Sequence, residues 1–149
     1  VGGRSDHLLG PLRSIRESFC SDAGDVLLWS VLGLAVSLPR RFTLSGRQFH
    51  AGKTELAFSG SGCGLVCTRW GFAEQLLEKY ELGEWAKAAL DMRSASLVER
   101  DGDLRLSGGK PWLRHEALVS FQPEKNQVVT LKASGRGRAC ALCADWVIR

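Results

Sequence analysis

Residues 72–92 carry the pattern that most restricts what this chain can fold into. Phe72, Leu76, Leu77 and Tyr80 form one apolar stripe at helical spacing, and Leu82, Trp85, Ala88, Ala89 and Met92 form a second. Glu74, Glu78, Glu81, Glu84 and Asp91 fall between them. Gly83 is costly inside a continuous helix, so the spacing predicts two short helices with a break near Glu81–Gly83. A helical pair of this kind has to bury its stripes against something else.

On both sides of the block the period drops to two. Phe42 and Leu44, then Leu56 and Phe58, alternate with polar residues around His50-Ala51-Gly52-Lys53, which reads as a hairpin with one wet face. Gly60-Ser61-Gly62 turns the chain into a strand over Gly64–Trp70. After the block, Asp101-Gly102 supplies the positive φ angles of a two-residue turn between Leu97, Val98 and Leu104, Leu106. Ser107–Pro111 reads as a loop. Glu116–Phe121 and Gln127–Ala133 read as strands joined through Pro123-Glu124-Lys125-Asn126. Val26–Leu38 is rich in β-branched residues and reads as a strand that Gly33 can break. Leu8, Leu9, Leu12, Ile15 and Phe19 suggest an N-terminal helix after a loose tail at 1–4, and Cys140–Ile148 a closing helix or strand. The expected fold is α+β: an antiparallel β-sheet with an N-terminal helix and a central helical pair packed on it. No linker divides residues 1–149, so one domain is expected.

A chain of 149 residues that is 44% hydrophobic and 24% charged can build a core without staples. The longest apolar stretch, Val26–Val36, is about half of the roughly 20 residues a membrane span needs, so no transmembrane segment is expected. Five cysteines, an odd number, argue against a secreted disulfide framework and for a reducing compartment, hence a cytoplasmic location. The chain begins at Val1 without a methionine, so a processed N-terminus is expected; nothing in it looks like a signal peptide.

The net charge of +4 is distributed unevenly. Arg40, Arg41, Arg47 and Lys53 form a stretch with no acid between Pro39 and Glu55, and Arg136 and Arg138 follow Lys132. The acids gather in the helical block, so a basic side and an acidic side are expected. Among the five tryptophans, Trp112 follows Pro111 in a polar segment and has Arg114 beside it. Tryptophan and arginine dominate interface hot spots, and an exposed tryptophan among arginines can also stack on a nucleic-acid base.

Cys63 and Cys67 form a C-x3-C pair, and Cys140 and Cys143 a C-x2-C pair. Four thiolates in two pairs could hold a tetrahedral zinc ion. In a strand, however, Cys63 and Cys67 would stand roughly 13 Å apart, and free cysteines are more often small buried hydrophobes. Redox chemistry at Cys140 and Cys143 is a third reading. His7, His50 and His115 match no catalytic signature, and neither Ser59-Gly60-Ser61-Gly62 nor Ser107-Gly108-Gly109-Lys110 is a phosphate-binding loop between a strand and a helix.

The stretch from Leu38-Pro39-Arg40-Arg41-Phe42 through Leu90 resembles the first half of the PsbP-like superfamily. It has an extended P-x-x-F opening, a hairpin ending in Leu56-Ala57-Phe58, a strand at Leu65–Arg69 and a leucine-rich helical block. The hairpin and meander of 97–133 resemble the second half. The resemblance implies an antiparallel sheet with helices packed on it, in a binding or accessory protein without a catalytic residue set. The cysteine pairs are no part of that pattern.

The functional expectation is therefore a non-catalytic binding or accessory domain that docks another protein and carries no cofactor. Its binding residues are Trp112, Arg114, Arg40, Arg41, Arg47, Arg136 and Arg138. The alternatives are a zinc protein built on Cys63, Cys67, Cys140 and Cys143, and weak nucleic-acid binding through the basic loops.

Overall fold

Seven short runs of alternating hydrophobicity pair edge to edge in the computed structural model, which describes residues 26–60 and 62–136. The strands are β3 (Thr43–His50), β4 (Lys53–Gly60), β5 (Cys63–Gly71), β6 (Ser96–Arg100), β7 (Asp103–Lys110), β8 (Leu113–Gln122) and β9 (Gln127–Gly135). Their spatial order is β3-β4-β5-β9-β8-β7-β6, antiparallel throughout. Two meanders meet where β9 pairs with β5. The chain between them crosses one face of the sheet to start again at the far edge. That crossing contains the helices α1 (Ala73–Leu77) and α2 (Leu82–Ala89).

A second, two-stranded sheet covers part of the opposite face. Val26–Leu38, expected as one strand, folds back on itself as β1 (Val26–Val31) and β2 (Leu34–Pro39). Leu32 and Gly33 make the turn with φ of 45° and 79°, the geometry a two-residue hairpin requires. Gly33 thus breaks the strand by reversing it.

Each covering layer produces its own core. On the hairpin face, Leu34, Val36, Leu38 and Phe42 pack on Leu56, Phe58, Leu65, Cys67 and Leu131. Trp29 meets Phe58 edge to face at 5.3 Å. On the helix face, Ala73, Ala86, Leu90 and Met92 pack on Leu104, Leu106, Val119 and Val128. Trp70 and Trp85 meet there at 5.3 Å and 89°. Successive residues of a strand point to opposite faces. β9 lies under both layers, so it is the most continuously buried strand and reads as a near-continuous apolar run from Val128 to Leu131, interrupted by Thr130.

The α+β expectation is overturned. The described residues are 62% strand and 15% helical, which makes this a mostly β fold with two short helices on one face. The stripes at 72–92 do mark helices, and the glutamates do lie in that segment. What the spacing could not show is their length: five and eight residues, too short to form a principal layer. The expected N-terminal helix and the closing element at 140–148 lie outside the described residues.

Two local expectations also shift. The break between the helices lies before Leu82, and Gly83 sits within α2. A Cβ at Gly83 would come 2.9 Å from Leu97 Cδ1, so the glycine lets α2 approach β6. Ser107–Pro111 is no loop: β7 runs on to Lys110, and Pro111-Trp112 is a two-residue turn into β8.

Candidate binding surface at the basic end of the sheet

The strand register sets which turns share an end of the sheet. Gly60 pairs with Cys63, Cys63 with Gly135, Gly135 with Arg114, and Arg114 with Gly109. The Pro39–Phe42 turn joins this row, because Phe42 N–H donates to the Pro39 carbonyl and a Cβ on Gly60 would strike the Arg41 carbonyl at 2.3 Å. At strand spacings of ~4.8 Å the row from β3 to β7 is about 24 Å long.

Most of the expected binding residues meet here. Arg40 and Arg41 lie at one end of the row, Trp112 and Arg114 at the other, and Arg136 directly follows β9 between them. Trp112 is 65% exposed at the tip of the β7–β8 hairpin, with the Lys110 ammonium 5.4 Å from its ring centroid. The Arg41 guanidinium lies 5.6 Å from the centroid of the buried Phe42 ring. Such contacts hold a cation over an aromatic face and leave it accessible to an anion.

A hollow of about 390 Å³ opens beside the turn, lined by residues 107–111, Arg114, His115 and Glu116. Lys110 and His115 were not expected as binding residues, since Ser107–Pro111 read as a loop and His115 as an isolated histidine. His115 Nδ1 lies 2.7 Å from Ser134 Oγ. Burial holds the His115 pKa below the ordinary histidine value. Lys132 lowers it further, and Asp91 opposes both. His115 is therefore a neutral ring at pH 7, and the positive charge of this end is carried by the arginines and Lys110.

Arg47 does not join the row. It lies within β3, opposite Leu56, on the outer strand of the sheet. Arg138 lies outside the described residues.

Cys63 and Cys67 are both buried in the hairpin-face core, on the same side of β5. Cys63 Sγ donates to the Gly64 carbonyl, and burial pushes the Cys67 thiol up to about 12. Cys67 is thus a thiol at neutral pH. Four residues of extended strand separate the two sulfurs by roughly 13 Å, so an ion at Cys63 would leave Cys67 out. Cys140 and Cys143 lie outside the described residues.

Among the described residues no helix is long and apolar enough to cross a membrane. No family model matches the chain, and the comparison with curated proteins finds no similar one.

Proposed function

We propose that this chain is a binding domain that docks an acidic partner protein on the basic end of its seven-stranded sheet. The observation that carries the reading is a convergence. Arg40, Arg41, Trp112, Arg114 and Arg136 are far apart in sequence, and the strand register brings them to one row of turns. An exposed tryptophan flanked by cations is the composition of an interface anchor. The PsbP-like resemblance belongs to the same proposal, since it implies an accessory protein.

A protein partner is favoured over nucleic acid because, among the described residues, Trp112 is the one exposed aromatic ring of the row, whereas stacking on successive bases uses several. Titrating the isotope-labelled chain with a glutamate-rich peptide should move the amide resonances of residues 40–43, 110–114 and 135–136. The response should weaken as salt is raised. Shifts confined to the opposite strand ends would overturn the reading, as would tighter binding of a single-stranded oligonucleotide at the same amides.

A further inference from the structure

We infer that the outer edge of β3 is a second interaction surface, which takes an extended acidic peptide segment as an added strand. The inference stands apart from the strand-end surface and rests on β3 itself.

Among the described residues β3 pairs only with β4, so the backbone N–H and C=O groups along its other side have no partner strand among them. All of its eight residues except Gly46 are exposed. A free edge of this kind is a template for strand addition, in which the main chain supplies affinity and alternate side chains supply specificity.

The two edges of the sheet differ. β6 is five residues long and carries Glu99 next to Arg100, so its charges are mixed. β3 is eight residues long and of one sign, with no acid from Pro39 to Glu55. Its register is irregular between Leu44 and Gly46, which leaves Gly46–His50 as the regular stretch opposite Lys53–Ala57. Arg47 and Phe49 are two residues apart and share a face there. Phe49 is 46% exposed. A partner strand with an acidic and an apolar residue two positions apart, hence on one face, would set a carboxylate beside Arg47 and an apolar side chain beside Phe49.

Charge also selects against the obvious competitor, a second copy of the chain. Two β3 edges paired antiparallel would bring the Arg47 residues of both copies close together with no acid between them, and like charges across strands are destabilising. An acidic partner turns the same residue into an attraction.

The test uses the full chain and two peptides of the repeat Glu-Thr-Val-Thr, one of them N-methylated at successive residues so that neither of its edges can donate. The plain peptide should slow hydrogen exchange of β3 amides within 44–50. The N-methylated peptide, of equal charge, should bind at least about tenfold more weakly, because it cannot complete the ladder. Arg47→Glu should weaken the plain peptide by about tenfold or more, in line with reversing a charge pair. Equal binding of the two peptides would overturn strand addition, as would protection confined to residues 110–114. Self-association that protects the same β3 amides would assign the edge to a second copy. Failure of the strand-end reading would instead appear at 40–43, 110–114 and 135–136, so the two failures are distinguishable.

Discussion

The two faces of the sheet are covered in different ways. The hairpin face is sealed by β-strand on β-strand, and its core contains the largest fully buried side chains, Phe42, Phe58, Leu34, Leu38 and Leu65. The helix face is sealed by two short helices whose contacts are small, Ala73 and Ala86, ringed by half-buried Trp70, Leu82, Trp85 and Phe121. The helices are tied down by specific polar contacts. Ala73 N–H donates to the Asn126 carbonyl, Glu74 N–H to Asn126 Oδ1 at 2.8 Å, and Lys132 Nζ to the Leu90 carbonyl at the end of α2. The difference teaches that burial area holds one layer, whereas capping bonds and close approach position the other. A layer held by burial should be rigid and costly to damage. A layer positioned by caps should be adjustable.

The largest contrast should appear in thiol chemistry. Burial at 0% exposure with a pKa pushed up to about 12 makes Cys67 unreactive in the folded state. Alkylation there, followed by peptide mass mapping, should be slower than in denaturant by about a thousandfold or more, set by global opening. Fast labelling of Cys67 in native buffer would break the claim that the hairpin face is rigid.

Core truncations come next. Phe58→Ala on the hairpin face should cost about 4 kcal/mol in denaturant unfolding, and Leu106→Ala on the helix face about 2–3 kcal/mol, because the half-buried ring around Leu106 can relax. The reverse order would reverse the comparison. Asn126→Ala removes the bond to Glu74 and places alanine at a φ of 48°, so about 1–2 kcal/mol should be lost. Hydrogen exchange should show that loss concentrated in α1.

Gly83→Ala should be close to neutral. The helix gains about 0.5–1 kcal/mol from alanine, and the new Cβ, 2.9 Å from Leu97 Cδ1, offsets it. Combined with Leu97→Ala, the same substitution should recover the gain, which a double-mutant cycle would read as coupling. The smallest effect belongs to His115. Its folded pKa is depressed, so the unfolded state binds more protons as pH drops below the ordinary histidine value of about 6.5. Stability from this group is present above that pH and is lost as pH falls through the folded pKa. A shallow acid-side decline that is absent in His115→Gln would show it.

Much of the strand content was legible because period-two alternation and turn pairs are local. Asp101-Gly102 does turn β6 into β7, and the strands at 64–70, 116–121 and 127–133 lie within β5, β8 and β9. The hairpin inside Val26–Leu38 was not legible, because both of its strands are apolar and only one residue pair marks the reversal. The β7 extension over Gly108-Gly109-Lys110 was hidden by its glycines, which signal a loop. Each is explained by a close approach: a Cβ on Gly108 would meet Ala95 at 3.3 Å, and one on Gly109 the Leu113 carbonyl at 2.3 Å. Of the candidate site, Trp112 and the arginines could be read from exposure and charge, but not their common row. Lys110 was missed although it lies two residues before Trp112, and His115 because the sequence does not show that it lines the same hollow.

The sequence by itself determined that the chain is built of short antiparallel strands around one helical segment, since alternation, helical spacing and turn residues act over a few neighbours. It also determined that the helical segment is net acidic, with Glu74, Glu78, Glu81, Glu84 and Asp91 against Lys79 and Lys87. Only the tertiary structure decided that the fold is mostly β, because that depends on which faces the layers cover and how long the helices can run before they leave the sheet. The structure alone also decided that β9 returns between the two meanders to pair with β5. That long-range pairing is a packing outcome with no local signal, and it is what places Arg136 between Arg41 and Trp112.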